Sequence, residues 1–167
     1  VEELYRHGHR RIAALISRPN DQSISQLRYE GYVQALESHG IPVDPELVIS
    51  TGGFSAKDAY RAVQEKMAEN VDFTALFAIA DSMAIGAMRA LMDAGRRIPE
   101  DCSVIAIDGL ELSAYIEPPL TTLCQPMEEM GRRSAEILLD MVRHKGSHAC
   151  ELLPTTLRQG RSVAAPR

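Results

Sequence analysis

Cysteine is scarce and placed for no framework. Cys102, Cys124 and Cys150 are odd in number and never fall in a CxxC spacing. This argues against a disulfide scaffold or a zinc site, and reduced thiols in a cytosolic protein are the expectation. Basic residues are outnumbered, 18 against 23 acidic, for a net charge of −5. There is no overall positive field with which to hold nucleic acid. No run of apolar residues approaches the ~18 needed to cross a membrane, and no secretory leader is visible. The phosphate loops GxGxxG and GxxxxGK[ST] and the GxSxG elbow are all missing, and Gly52-Gly53 is too short to cradle a phosphate. The five histidines show neither metal-pair nor dyad spacing. No metal, no cofactor and no catalysis are therefore expected. The rival reading, a nucleotide-dependent Rossmann enzyme, lacks every phosphate-loop signature.

What is present is enough for one domain: 167 residues, 45% of them hydrophobic. Its centre is ALFAIADSMAIGAMRALMDAGRRIPEDCSVIAIDG, residues 75–109. Ala75 to Ile79 has the length of a buried strand. Asp81 and Ser82 follow at a helix N-cap position. A helix to about Ala94 is stopped by Gly95 and Pro99. Val104 to Ile107 is a second strand, ended by Asp108. A strand–helix–strand unit of this length requires a parallel pair with a right-handed crossover. Both acids then leave the sheet at its carboxyl edge, where open α/β sheets bind ligands.

The rest of the chain repeats this alternation. A helix end with Gly8 as its cap precedes a strand at Ile12–Ile16. A polar loop over 17–23 leads to a helix over about 24–38, whose apolar face is Tyr29, Tyr32, Val33 and Leu36. Leu47–Ile49 reads as a short strand. Ser55 and Asp58 form a capping-box pattern before a helix that faces inward through Ala56, Ala59, Tyr60, Val63 and Met67. LTTLC is strand-like. A helix over about 127–144 carries Met130, Ile137, Leu138 and Met141 on one side, KGSH is a turn, and 151–159 reads as a last strand interrupted by Pro154. The class is α/β: a Rossmann-like parallel sheet flanked by helices.

The loops at the carboxyl edge carry Arg18, Asn20 and Asp21, then Gly52, Gly53 and Phe54, then Asp81, then Asp108. Arg28 lies one turn into its helix, where a cation opposes the helix dipole and needs a carboxylate or a ligand to justify it. Charged and amide groups with one aromatic ring suit a small polar molecule. Each residue also has an ordinary reading: Asp81 as a cap, Asp108 as a turn residue, Phe54 as a loop anchor, Arg28 as a surface arginine. Their convergence carries the functional case. In the helix over 82–94, the stripe Ala84, Ala87, Met88 and Leu91 suffices to cover a sheet. Ile85 and Met92 lie outside it and call for a second cover, such as a partner subunit.

GHRRIAALI, RYEGYVQAL, GGFSAKDAYRA, the 75–109 block, YIEPPLTTLCQPMEEMG and LLPTTL, in this order, resemble the sensor domain of LacI/GalR-type transcriptional regulators. The resemblance implies a periplasmic binding protein-like fold (type I) of two lobes, behind an N-terminal helix-turn-helix that is missing here. One lobe would be about 1–124 and 151–167, with about 125–150 crossing into the other, so the chain is expected to be a fragment. It implies an effector site of Arg28, Phe54, Asp81, Asp108 and Met127. It also implies a dimer contact on the 82–94 helix and around Tyr115 and Ile116, giving an interface of Ile85, Met88, Met92, Tyr115 and Ile116. The expected function is ligand sensing and dimerisation in a cytoplasmic regulator. The effector would be sugar-like or nucleobase-like, and operator DNA would be held only through the absent headpiece, with no membrane partner. A solute-binding protein of the same fold is the alternative. Three positions depart from the family: Ala80 replaces the usual asparagine, Gly109 the usual second aspartate, and Gly160 a common arginine.

Overall fold

The computed structural model describes residues 1–17, 24–144 and 150–167. The loop residues Arg18, Asn20 and Asp21 and the KGSH turn with His148 lie outside these residues. In chain order the elements are α1 (Glu2–Arg6), β1 (Ile12–Ser17), α2 (Ile24–Ser38), β2 (Val48–Thr51), α3 (Ala56–Ala68), β3 (Ala75–Ala78), α4 (Asp81–Asp93), β4 (Ser103–Asp108), β5 (Thr121–Cys124), α5 (Met127–His144) and β6 (Thr156–Arg158). They form one six-stranded sheet in the order β2-β1-β3-β4-β5-β6. All pairings are parallel except that of β6 with β5.

Parallel neighbours cannot be joined by hairpins, so each parallel step needs a crossover: α2, α3 and α4 make the first three, and a loop with a single 3-10 turn, Glu111–Ala114, makes the step from β4 to β5. The strands read as continuous apolar runs because both faces are covered: Ile12 to Ile16, Ala75 to Ile79 and Val104 to Ala106 are all buried. Tyr32 on α2 lies in this core and donates its hydroxyl to the Ile12 carbonyl at 2.8 Å. Burial pushes its pKa up to about 12. Ser55 caps α3, accepting from the Asp58 amide at 3.0 Å, as the capping-box pattern requires. Two boundaries move. Pro45–Leu47 forms a 3-10 turn, so β2 starts at Val48, and the last strand shrinks to Thr156–Arg158, beyond Pro154, whose missing N–H keeps it out of a ladder.

The helix expected to be covered twice is covered twice within the chain. The stripe of α4 is buried on the sheet side, and Gly86 on another side faces α3 so closely that a Cβ there would stand 2.0 Å from the Ala56 carbonyl oxygen. Met88 is buried in the core and has no surface left for a partner, which corrects its place in the expected interface. Ile85 stays half-buried and Met92 is 40% exposed.

The C-terminal tail is sewn to the sheet by polar groups. Ser162 donates to the Val104 carbonyl at 2.6 Å and accepts from the Thr121 amide at 2.8 Å. Buried His9 binds Ala164 O at 2.8 Å, Ser103 Oγ at 3.0 Å and Thr74 Oγ1 at 2.9 Å. A carbonyl only accepts, so Nε2 carries the proton and Nδ1 is left to accept from the Thr74 hydroxyl.

Two expected outcomes follow from this packing. Gly86→Ala gains about 1 kcal/mol of helix propensity, but the methyl must push two helix backbones apart, and overpacking costs about 1–3 kcal/mol. The clash with backbone puts the cost at the upper end, so a lower urea midpoint is expected, and an unchanged or higher midpoint would refute the close packing. For His9, burial pushes the ring pKa below its ordinary value, and the bond to Ala164 opposes this only in part. The folded chain therefore refuses a proton that the unfolded chain accepts once pH falls below about 6.5. Stability should be complete above that pH and decline below it, by at most about 1.4 kcal/mol per pH unit, until the folded ring protonates. Thermal melts from pH 7.5 to 5.5 should fall more steeply for the wild type than for His9→Gln; parallel curves would exclude His9 as the source.

Candidate functional site

The parallel register brings the ends of β3 and β4 side by side, with Phe77 opposite Ile105, and α2 runs past both. Arg28, on the second turn of α2, reaches across that gap. Its Nη2 donates to Asp108 Oδ1 at 2.9 Å, and its Nη1 donates to the Ile79 carbonyl. These partners answer the objection raised by the helix dipole. A third group closes the set: Gln125, just after β5, donates Nε2 to the same Asp108 oxygen at 2.7 Å and its backbone N–H to the Asp108 carbonyl at 3.2 Å. The Arg28 and Asp108 side chains keep 13% and 25% of their surface. The clamp is thus partly desolvated yet open to a ligand.

The backbone here is unusual. Asp108 has φ of 132°, a region that side chains rarely occupy and that costs on the order of 1–3 kcal/mol. The Arg28 and Gln125 bonds and the β4–β5 register hold it there. Gly109 follows at φ 78°, and a Cβ on it would meet the Cys124 Cα at 2.7 Å. Glycine is what this close approach permits. Ala80 is the N-cap of α4 and makes no side-chain cap bond, so the N-cap expected at Asp81 and Ser82 lies one residue earlier. The helix start is left without the acceptor that an asparagine would supply.

Asp81 occupies a different position from the rest of the set. It is wholly buried in the first turn of α4, and both its oxygens are used: Oδ2 accepts from the Leu110 amide at 2.8 Å and the Ser113 hydroxyl at 2.7 Å, and Oδ1 from the Thr122 hydroxyl at 2.5 Å. Phe54 is 40% exposed in the loop after β2, and its carbonyl accepts from Ser82 Oγ at 2.7 Å, which ties that loop to the start of α4. Met127 is 64% exposed at the first position of α5. Met127 meets the clamp only through its backbone N–H, which donates to the Gln125 carbonyl at 2.9 Å. The structure therefore joins Arg28 to Asp108, leaves the side chains of Phe54 and Met127 exposed, and sinks Asp81 beneath the surface. Gln125 was visible in the sequence only as part of a family motif, although an amide at the end of a strand is a ready partner for an acid on its neighbour. Asp81's partners could have been sought in Ser113 and Thr122, since a buried carboxylate must find donors.

The assembled groups can bind but hold no nucleophile beside a base. Asp108 keeps one oxygen without a partner among the described residues, and Arg28 keeps spare N–H groups. Together they offer an acceptor and donors a few ångströms apart, which matches hydroxyl-bearing ligands. Among the described residues no three His, Cys, Asp or Glu side chains are grouped to hold a metal.

A family model described as a periplasmic binding protein-like domain matches residues 1–163. The chain is 38% identical over 159 residues to the HTH-type transcriptional repressor CytR of Escherichia coli (strain K12), across 92% of this chain and 46% of that protein. It thus spans a little under half the length of that relative. The solved transcriptional regulator CelR–cellobiose complex superposes with a TM-score of 0.88 at 34% identity, over 96% of this chain and 49% of the other. A dimeric lac repressor with a C-terminal deletion gives 0.91 at 31% identity, over 99% and 60%. The chain belongs to the periplasmic binding protein-like family, in the form carried by LacI-type transcriptional regulators.

Proposed function

We propose that this chain is the effector-sensing and dimerising part of a cytoplasmic DNA-binding regulator. The observation that carries this is the Arg28–Asp108–Gln125 clamp at the carboxyl edge of the sheet. Its partners come from α2, from the end of β4 and from the entry to α5, so a ligand seated there bears on three elements at once. The effector is a small hydroxylated molecule, sugar-like or nucleobase-like. Phe54 and Met127 take part once a second wall closes over the cleft, and no chemistry is performed. Ligand occupancy acts by its differential affinity for two arrangements of the lobes. Operator DNA is held by a helix-turn-helix outside these residues.

Residues about 125–150 belong to the second lobe. The apolar side of α5 supports this assignment: Leu138, Leu139 and Val142 are all exposed, a helix face that single domains normally cover. The opposite side is laced with ion pairs, including Arg133 to Glu136 at 2.7 Å.

The dimer contact joins Ile85 and Met92 of α4 to the segment after β4, where Tyr115 is 78% exposed and Leu112 62%. A two-fold axis beside α4 buries the same patch twice. Ile116, half-buried against its own core, contributes only its remaining surface.

Two measurements on the full-length protein test this. In a thermal-shift screen of sugars, nucleosides and phosphosugars that includes cellobiose, some compound should stabilise the wild type. Arg28→Ala should then weaken that compound by about 1.5–3 kcal/mol in calorimetry, the worth of a charge-assisted bond; equal affinity would remove Arg28 from the site. Ile85→Asp should split the dimer without unfolding the monomer, since the sheet-facing stripe of α4 is untouched. A sedimentation coefficient still that of a dimer at micromolar concentration would show that α4 is not the interface.

A further inference from the structure

The buried carboxylate of Asp81 lies under the very stretch of chain that carries the exposed Leu110, Leu112 and Tyr115. Three donors converge on it, and two of them, the Leu110 amide and the Ser113 hydroxyl, belong to that stretch. The third, Thr122, is on β5. Arg158 of β6 closes the set from the far side: its Nη2 donates to Ser113 Oγ at 2.5 Å and to the Leu110 carbonyl at 3.0 Å. The single Ser113 proton has two acceptors in reach, Asp81 Oδ2 at 2.7 Å and the Leu110 carbonyl at 2.8 Å, and the charged carboxylate is the stronger of the two. One turn of 3-10 helix, Glu111–Ala114, is thereby bolted at both ends. It begins three residues after Asp108, and the intervening Gly109 is wedged against Cys124 with no room for a side chain.

We infer that Asp81 is a positioning residue that holds the 110–116 segment as the contact surface for a second copy of this chain and couples that surface to the Asp108 clamp. The inference rests on the dimer reading given above. It assigns Asp81 a role other than ligand contact, since both its oxygens are committed and the side chain has no exposed surface. The geometry has a direct consequence. A movement of Asp108 must pass through the rigid Gly109 turn into Leu110, whose amide the carboxylate grips. Asparagine at position 81 keeps the size of the side chain but not its charge: its N–H can be accepted by the Thr122 hydroxyl, while the charge-assisted bonds to the Leu110 amide and the Ser113 hydroxyl become neutral ones of about half the strength, and the turn is loosened.

The test uses the full-length protein and two variants, Asp81→Asn and Ser113→Ala, with His9→Gln as a control that loosens the fold at a distant site. Sedimentation equilibrium gives the dimer dissociation constant, and hydrogen exchange reports the amides of Leu110 to Tyr115 against those of β1 and β3. For Asp81→Asn the dissociation constant should rise at least ~10-fold and the Leu110 amide should exchange at least ~10-fold faster, with β1 and β3 still protected; these are the losses expected for one bond to a charged group. Ser113→Ala should shift both in the same direction by a smaller factor, and it decides the matter should Asp81→Asn fail to fold. His9→Gln should leave the dissociation constant unchanged. A wild type that sediments as a monomer overturns the dimer reading itself. A dimeric wild type whose variants keep its dissociation constant, or whose control loses it equally, overturns the role of Asp81 alone.

Discussion

Everything in this molecule depends on the parallel pairing of β1, β3, β4 and β5. A parallel sheet sends each strand out at the same edge and demands a crossover, here mostly helical, to return the chain to the other. The loops that leave β2, β3, β4 and β5 are therefore neighbours, however far apart they are in sequence. Arg28 and Asp108 are 80 residues apart and 2.9 Å from each other. The same constraint explains the apolar character of the strands, since each face must be covered by a helix.

Much of this was legible before any coordinate was known. Periodicity located α2, α4 and α5 to within a residue, the Ser55 capping pattern marked the start of α3, and the strand–helix–strand argument put Asp81 and Asp108 at one edge without appeal to relatives. Position along the edge was recoverable in this way; depth was not. An acid at the start of a helix looks the same whether it faces solvent, a ligand or three donors from a later loop. Asp81 proves to be of the last kind because the hydroxyls that satisfy it arrive 32 and 41 residues later. Spacing placed Met88 in the stripe that covers the sheet, and its burial agrees; only the family resemblance set it in the interface as well. The close approach of α3 at Gly86 is something that spacing alone cannot show. Family likeness named Arg28 and Asp108 but gave no hint that Gln125 joins them.

The interior is held in register by a few polar residues rather than by shape alone. His9, Asp81, Ser113 and Ser162 are all buried, and every one of them bridges elements distant in sequence. Such groups are costly if left unpaired, so each admits few alternative arrangements. They stand where the strands are short, at four residues in β3 and β5, and where ladder bonds alone would specify the pairing weakly.

Residues 159–166 are also stitched to the segment that leads into β1. Gln159 donates to Glu3 at 3.0 Å, Pro166 packs over Gly8, and His9 grips Ala164. A segment tied in this way cannot fray alone. Lifting it unpairs Glu3, His9 and Ser103 together, so the far side of the sheet and the approach to β1 open as one cooperative unit.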